Sequence, residues 1–178
     1  MMLDRLVVLS ITFHIFISLY FNPYNVNAMH STVIRNDLII VNTNKNELTY
    51  VKKGIIIKKF KVATGSSRTP TPLGTFKIVN KIKNRPYYKK NIPGGSPENP
   101  LGKRWLGLNV NGTWGTTYAI HGNNNESTIG KKISHGCIRM HNKDIEWLFD
   151  QVTIETKVHV TDSNETYKQI ASNTRILH

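Results

Sequence analysis

Cysteine is almost missing from this sequence: Cys137 stands alone among 178 residues. No intramolecular disulfide can form, so the fold must be held by its core rather than by covalent staples. Acidic side chains are scarce as well. Eleven Asp and Glu face 24 Lys and Arg, a formal net charge of +13. Repeats, linkers and low-complexity tracts are absent, so a single domain is expected.

The start of the chain has the pattern of a secretory signal. Arg5 gives a positive lead, and Asp4 cancels its charge. Leu6 to Phe21 is mostly apolar but broken by Ser10, Thr12, His14 and Ser18. Val26-Asn27-Ala28 then offers small or apolar residues to a signal peptidase. The run is short for a membrane span, which needs about 20 mostly apolar residues. Residues 1–28 are therefore expected to be a cleaved signal, with no stable membrane insertion afterwards. Residues 29–37 form a lead-in, 38–160 the domain and 161–178 a loose polar tail. Export turns the basic charge away from nucleic acid and leaves two readings side by side: attraction to anionic wall polymers and lipid head groups, or lysines that simply solvate exposed strand faces. It also leaves Cys137 as a lone exported thiol, which calls for a chemical reason.

The patterned region reads as mostly β. Leu38 to Val41 is a short apolar run, and Glu47–Val51 and Ile55–Val62 flank the turn Lys53-Gly54. Thr64 to Thr75 is a loop punctuated by Pro70, Pro72 and Gly74, and Thr75 to Lys81 returns to strand. Asn84 to Leu101, rich in Pro and Gly, is long enough to be a lid. Trp105–Val110 and Thr113–Gly122 flank Asn111-Gly112, the signature of a hairpin with a tight type I′ turn. One helix is predicted from Asn142. Ile145, Leu148, Phe149 and Val152 share a face, Asn142 caps it, and Asp144 and Glu146 suit its positive end. Val158 to Val160 is a closing strand.

The chemistry gathers at Ser134-His135-Gly136-Cys137-Ile138-Arg139-Met140. A thiol is a nucleophile only as thiolate, so it needs a base or positive surroundings. His121, His135 and Arg139 can supply them. His121 ends the apolar run Tyr118-Ala119-Ile120 and is the better base, with His135 supporting. Gly136 leaves backbone N–H groups open beside the nucleophile, as an oxyanion hole requires. Two other readings stand beside this one. Cys137 can be a buried small hydrophobe, or His121, His135 and Cys137 can hold zinc with an open position.

The run Ile120-His121-Gly122, then Ile129-Gly130, then Ser134 to Met140 resembles the L,D-transpeptidase catalytic domain, the YkuD-like family. Thr64-Gly65 followed by Thr71-Pro72-Leu73-Gly74-Thr75-Phe76, and Asn99-Pro100-Leu101-Gly102 followed by Trp105-Leu106-Gly107-Leu108, resemble two further stretches of its pattern. The family often has Gly-Thr before its last strand, where Glu155-Thr156 stands here. The resemblance implies a β-sandwich of mixed sheets with one helix packed against it, and the cysteine in a pocket under a lid. It implies no cofactor and no metal. The implied substrates are peptidoglycan stem peptides. Cys137 attacks the carbonyl of the third stem residue, terminal D-Ala leaves, and an amine resolves the thioester into a 3→3 cross-link. Water as acceptor gives carboxypeptidase activity, and a protein lysine gives protein anchoring. Position by position, Cys137 matches the nucleophile and His121 the base. The Gly122 carbonyl orients His121, and the Gly136 and Cys137 N–H groups form the oxyanion hole. His135 lies near the pocket, Ser134 bonds the local backbone, and Arg139 holds the loop or a substrate carboxylate. Tyr87, Tyr88 and Trp105 line the donor groove.

Overall fold

The computed structural model describes residues 37–172. The predicted signal, residues 1–28, lies outside them. The order of elements is β1 (Leu38–Asn42), β2 (Glu47–Lys52), β3 (Ile55–Gly65), β4 (Gly74–Lys83), β5 (Arg104–Leu108), β6 (Tyr118–His121), β7 (Lys132–Ser134), β8 (Ile138–Met140), α1 (Asn142–Gln151), β9 (Lys157–Thr161) and α2 (Tyr167–Ser172). The fold is mostly β, with one helix of ten residues and a six-residue helix near the end.

The strands run β2-β1-β9-β4-β5-β6-β8-β3, and β3 returns to pair with β2. Eight strands thus close on themselves, and β7 adds to β3 outside the ring. This corrects the expected sandwich to a closed barrel. The cause is strand length. The eleven residues of β3 pair first with β2, through Ile55 to Lys61. They then pair with β8, through Val62 and Ala63. Strand β4 changes partner in the same way, from β9 at Gly74–Lys77 to β5 from Ile78 onward. Strands that change sheets make corners, and two such corners leave no free edge between two separate layers. The sequence pattern ended β3 near Val62, because Thr64-Gly65 reads as loop.

The Lys53-Gly54 turn forms as expected, with positive φ at both residues (49° and 81°), which suits the twist of the flanking strands. The Asn111-Gly112 turn does not. Both residues take positive φ, but Leu108 pairs with Tyr118, so the connection runs from Asn109 to Thr117. Burial of Val110 draws the chain inward. The Trp105 indole N–H then donates to the Gly115 carbonyl at 2.9 Å.

Ile39, Val41, Leu106, Ile120, Ile138 and Met140 fill the barrel, and α1 closes over it with Ile145, Leu148 and Phe149. Burying each of these helix side chains contributes roughly 2 kcal/mol. Asn142 does not cap α1. The cap position is His141, and the Asn142 amide is committed elsewhere. The tail is less loose than its composition implies. Ile170 of α2 is buried against Leu38, Ile40 and Val51 on the outer face of the barrel.

Candidate active site

Strands β6 and β8 are parallel neighbours, with Ile120 opposite Ile138 and His121 opposite Arg139. This pairing puts the end of one strand beside the turn that leads into the other. Cys137 occupies that turn, half-buried, with its Sγ 3.5 Å from the Thr117 carbonyl.

The turn is built from small polar groups. Gly136 has φ of 109°, a conformation L residues rarely adopt. A Cβ there would come within 2.9 Å of the Tyr118 ring. Ser134 Oγ accepts the Gly136 N–H at 3.1 Å and donates to the Cys137 carbonyl at 2.6 Å. The Gly136 N–H is therefore engaged, so of the expected pair only the Cys137 N–H is not committed to Ser134. The Ser66 N–H and the Thr69 hydroxyl both donate to the Ser134 carbonyl at 3.0 Å. Thr71 Oγ1 accepts the Gly65 N–H at 2.8 Å. The end of β3 and the loop at residues 66–73 thus buttress the Cys137 turn.

His121 is 3% exposed. Its Nδ1–H donates to the Gly122 carbonyl at 2.7 Å, so in the neutral ring the lone pair is on Nε2. Trp105 stacks on the imidazole, centroids 5.5 Å apart and planes 20° apart. Burial, then the Arg139 charge, lowers the His121 pKa to about 4. The Gly122 and Leu101 carbonyls pull against that shift and the Arg85 charge adds to it. At neutral pH the ring is an uncharged base. Behind it, Asn142 Nδ2 donates to the Asn123 carbonyl at 2.8 Å. Asn142 Oδ1 accepts the Asn123 N–H at 3.3 Å. Asn123 Nδ2 donates to the Met140 carbonyl at 2.7 Å. A Cβ on Gly122 would run into Asn142 Oδ1, so only glycine lets these segments touch.

Burial pushes the Cys137 thiol up. The Ala119 N–H and the charges of Arg139 and Arg85 pull the other way. The resting pair is a thiol and a neutral imidazole. Arg139 is half-buried, and its Nε finds no hydrogen-bond partner among the described residues. His135 is exposed on the turn. Among the described residues, His121, His135 and Cys137 do not form a group that could hold a metal ion. The reason is visible in the ring positions: one histidine is sealed in, the other faces solvent. Trp105 is buried beneath His121 rather than lining a groove. Tyr88 is 74% exposed.

Sequence reasoning missed Arg85. Its guanidinium lies 3.9 Å over the Trp105 ring, and Nη2 donates to the Thr116 carbonyl at 3.2 Å. Nothing in the Arg85-Pro86 pair marks it. The organiser of its loop was within the quoted motif. Asn99, 1% exposed, donates to the Arg85 and Pro93 carbonyls at 3.0 and 3.1 Å. Its Oδ1 accepts the Leu101 N–H at 2.9 Å.

A thiol in the turn that leads into β8 and a neutral imidazole at the end of β6, the ring oriented by a third group, are the parts that a cysteine–histidine site of the nucleophilic class uses. The chain belongs to the L,D-transpeptidase catalytic domain family, whose model, YkuD, matches residues 36–160. Among its relatives is the putative L,D-transpeptidase YqjB of Bacillus subtilis (strain 168). It is 45% identical over 133 residues, which cover 75% of this chain and 76% of that protein. The putative L,D-transpeptidase YkuD of the same strain is 38% identical over 122 residues, 68% of this chain and 64% of its own length. Among solved structures, the avibactam carbamoyl enzyme of Ldtfm is 26% identical with a TM-score of 0.57. The match covers 72% of this chain and 50% of that one. An L,D-transpeptidase from Mycobacterium smegmatis shares the fold at 22% identity and a TM-score of 0.54, covering 71% of this chain and 58% of its own. The match spans about half to three quarters of the length of these four proteins.

Proposed function

We propose that this protein is an L,D-transpeptidase of peptidoglycan stem peptides that works through a thioester on Cys137. The observation that carries the reading is His121: a buried, neutral imidazole locked by the Gly122 carbonyl, beside the turn that bears the only thiol. Cys137 Sγ attacks the carbonyl of the third stem residue, and its proton passes to His121 Nε2. The oxyanion meets the Cys137 N–H. Collapse breaks the peptide bond, His121 returns the proton to the amine, and D-Ala departs. The side-chain amine of a second stem then attacks the thioester, gives its proton to His121, and releases the thiol with a 3→3 cross-link. Water in the same place gives a carboxypeptidase, and a protein lysine gives protein anchoring. The signal-like start supports action outside the membrane, and the +13 charge supports retention at anionic wall polymers.

The experiment is a mass-spectrometric muropeptide profile. The wild type and Cys137→Ala are incubated with tetrapeptide-rich muropeptides. Loss of D-Ala with new dimers in the wild type alone is the expected result. Loss without dimers selects the carboxypeptidase. Equal, inert profiles together with equal binding to sacculi would replace the enzyme with a wall-binding protein.

A further inference from the structure

The surroundings of the thiol carry more positive charge than they neutralise. Arg85 and Arg139 both act on Cys137 and on His121. Among the described residues, no carboxylate forms a salt bridge with either guanidinium. Both arginines are half-buried, where an unpaired charge is costly. With His121 neutral and Cys137 a thiol at rest, neither group offsets these charges, and a thiolate formed in the reaction would offset only one. The site still has one cation left over, and an anionic group on the substrate would balance it.

Of the two arginines, Arg85 is the one set in position from outside the nucleophile strand. Its Nη2 bonds the Thr116 carbonyl, and Cys137 Sγ meets the next carbonyl along, Thr117. The guanidinium face is fixed on Trp105, the same ring that stacks on His121. Asn99 ties down its backbone. With one face on an indole and one nitrogen on a carbonyl, the remaining N–H groups of the planar fork suit a carboxylate in two-point contact. Arg139 lies within β8, and its buried Nε also lacks a partner among the described residues, so substitution is what tells the two arginines apart.

We infer that Arg85 binds the terminal carboxylate of the donor peptide, one residue beyond the scissile bond, and so selects donors that end there. The inference rests on the stem-peptide reading above. That carboxyl carbon is two bonds past the scissile nitrogen, and Arg85 is held on the Thr116 carbonyl, next to the Thr117 carbonyl that the thiol meets. In a donor one residue longer the same carbon is a neutral amide, and the charge pairing is lost. Arg85 thereby measures the length of the donor and not its side chains.

The test uses the full chain carrying Cys137→Ser, which does not turn over a thioester. It is titrated calorimetrically with a synthetic tetrapeptide, L-Ala-D-Glu-diamino acid-D-Ala, as free acid and as C-terminal amide. The free acid is expected to bind about tenfold or more tighter, the size of a charge-assisted contact. Adding Arg85→Gln should bring the two peptides within about threefold of each other by weakening only the acid, and Arg85→Lys should restore part of the preference. On the Cys137 enzyme, Arg85→Gln should raise KM for the acid and leave KM for the amide unchanged. Equal affinities for acid and amide with Arg85 intact would overturn the inference while leaving the stem-peptide reading standing. So would a preference that survives Arg85→Gln and disappears in Arg139→Gln. If neither peptide binds, the stem-peptide reading falls, and this inference falls with it.

Discussion

The two halves of the site are held by different chemistry. His121 is walled in by an indole, two glycines and two side-chain amides. Gly102 and Gly122 lie against Asn142, Asn142 grips Asn123, and Asn123 reaches Met140. Cys137 sits on a half-open turn held by hydroxyls, with Ser134 bonded on both sides of it and Thr69 behind. In the proposed mechanism the base must keep one tautomer through two proton transfers, which rewards rigidity. The proposed nucleophile must meet an incoming acyl group, which rewards access. Binding the base tightly sets its pKa, whereas binding the turn sets only a direction of approach.

The largest expected effect comes from charging the sealed half. The His121 pKa falls from an ordinary 6.5 to about 4 on folding. The unfolded chain therefore takes up this proton first as the pH drops. Stability from this residue is complete above pH 6.5 and is lost as the pH falls to about 4, in total about 3 kcal/mol. The stability difference between the wild type and His121→Gln, measured by urea unfolding at pH 7 and pH 4, should change by that amount. The acid limb of kcat/KM should fall near pH 4, and Arg139→Gln should move it upward, because the Arg139 charge helps to hold it down. An acid limb at 6.5 in the wild type would mean that the ring is not sealed.

Next in size is Gly122→Ala. Its methyl group would strike Asn142 Oδ1 and pry the amide clamp from the strand. Overpacking of this kind costs about 1–3 kcal/mol, and kcat should drop along with the thermal midpoint. The smallest effect belongs to the open half. Ser134→Ala removes two hydrogen bonds at the turn and should cost about 1 kcal/mol of stability. It should lower kcat, with the His121-dependent acid limb left in place. If Ser134→Ala moved that limb, the two halves would be coupled and the contrast between them would fail.

The helix face, the Lys53-Gly54 turn and the nearness of the His121 strand to the Cys137 turn were legible in the sequence for separable reasons. Ile145, Leu148 and Phe149 announce themselves by spacing, and Lys53-Gly54 by the backbone it demands. His121 and Cys137 stand out through the family resemblance, since their spacing alone left a buried thiol and a zinc site open. What stayed hidden depends on contacts between distant segments. Arg85 is one of many cations until Trp105 is known to lie beneath it. Asn142 looks like a cap until its amide is seen to face Asn123. Gly136 seemed to offer a free N–H, which Ser134 in fact occupies. The barrel was hidden because it turns on β3 continuing through Thr64-Gly65, where local propensity favours a break.

The parallel pairing of β1 with β9, Leu38 opposite Lys157 and Asn42 opposite Thr161, joins the first strand of the domain to its last. A chain emerging from its N-terminus makes Ile39, Ile40 and Val41 long before their partner exists. Until residue 161 has been synthesised, the ring is an open sheet with an apolar, sticky margin. Such non-local closure is slow and exposes the nascent chain to misassociation. The last strand therefore acts as a timer, and no shorter chain holds the ring shut.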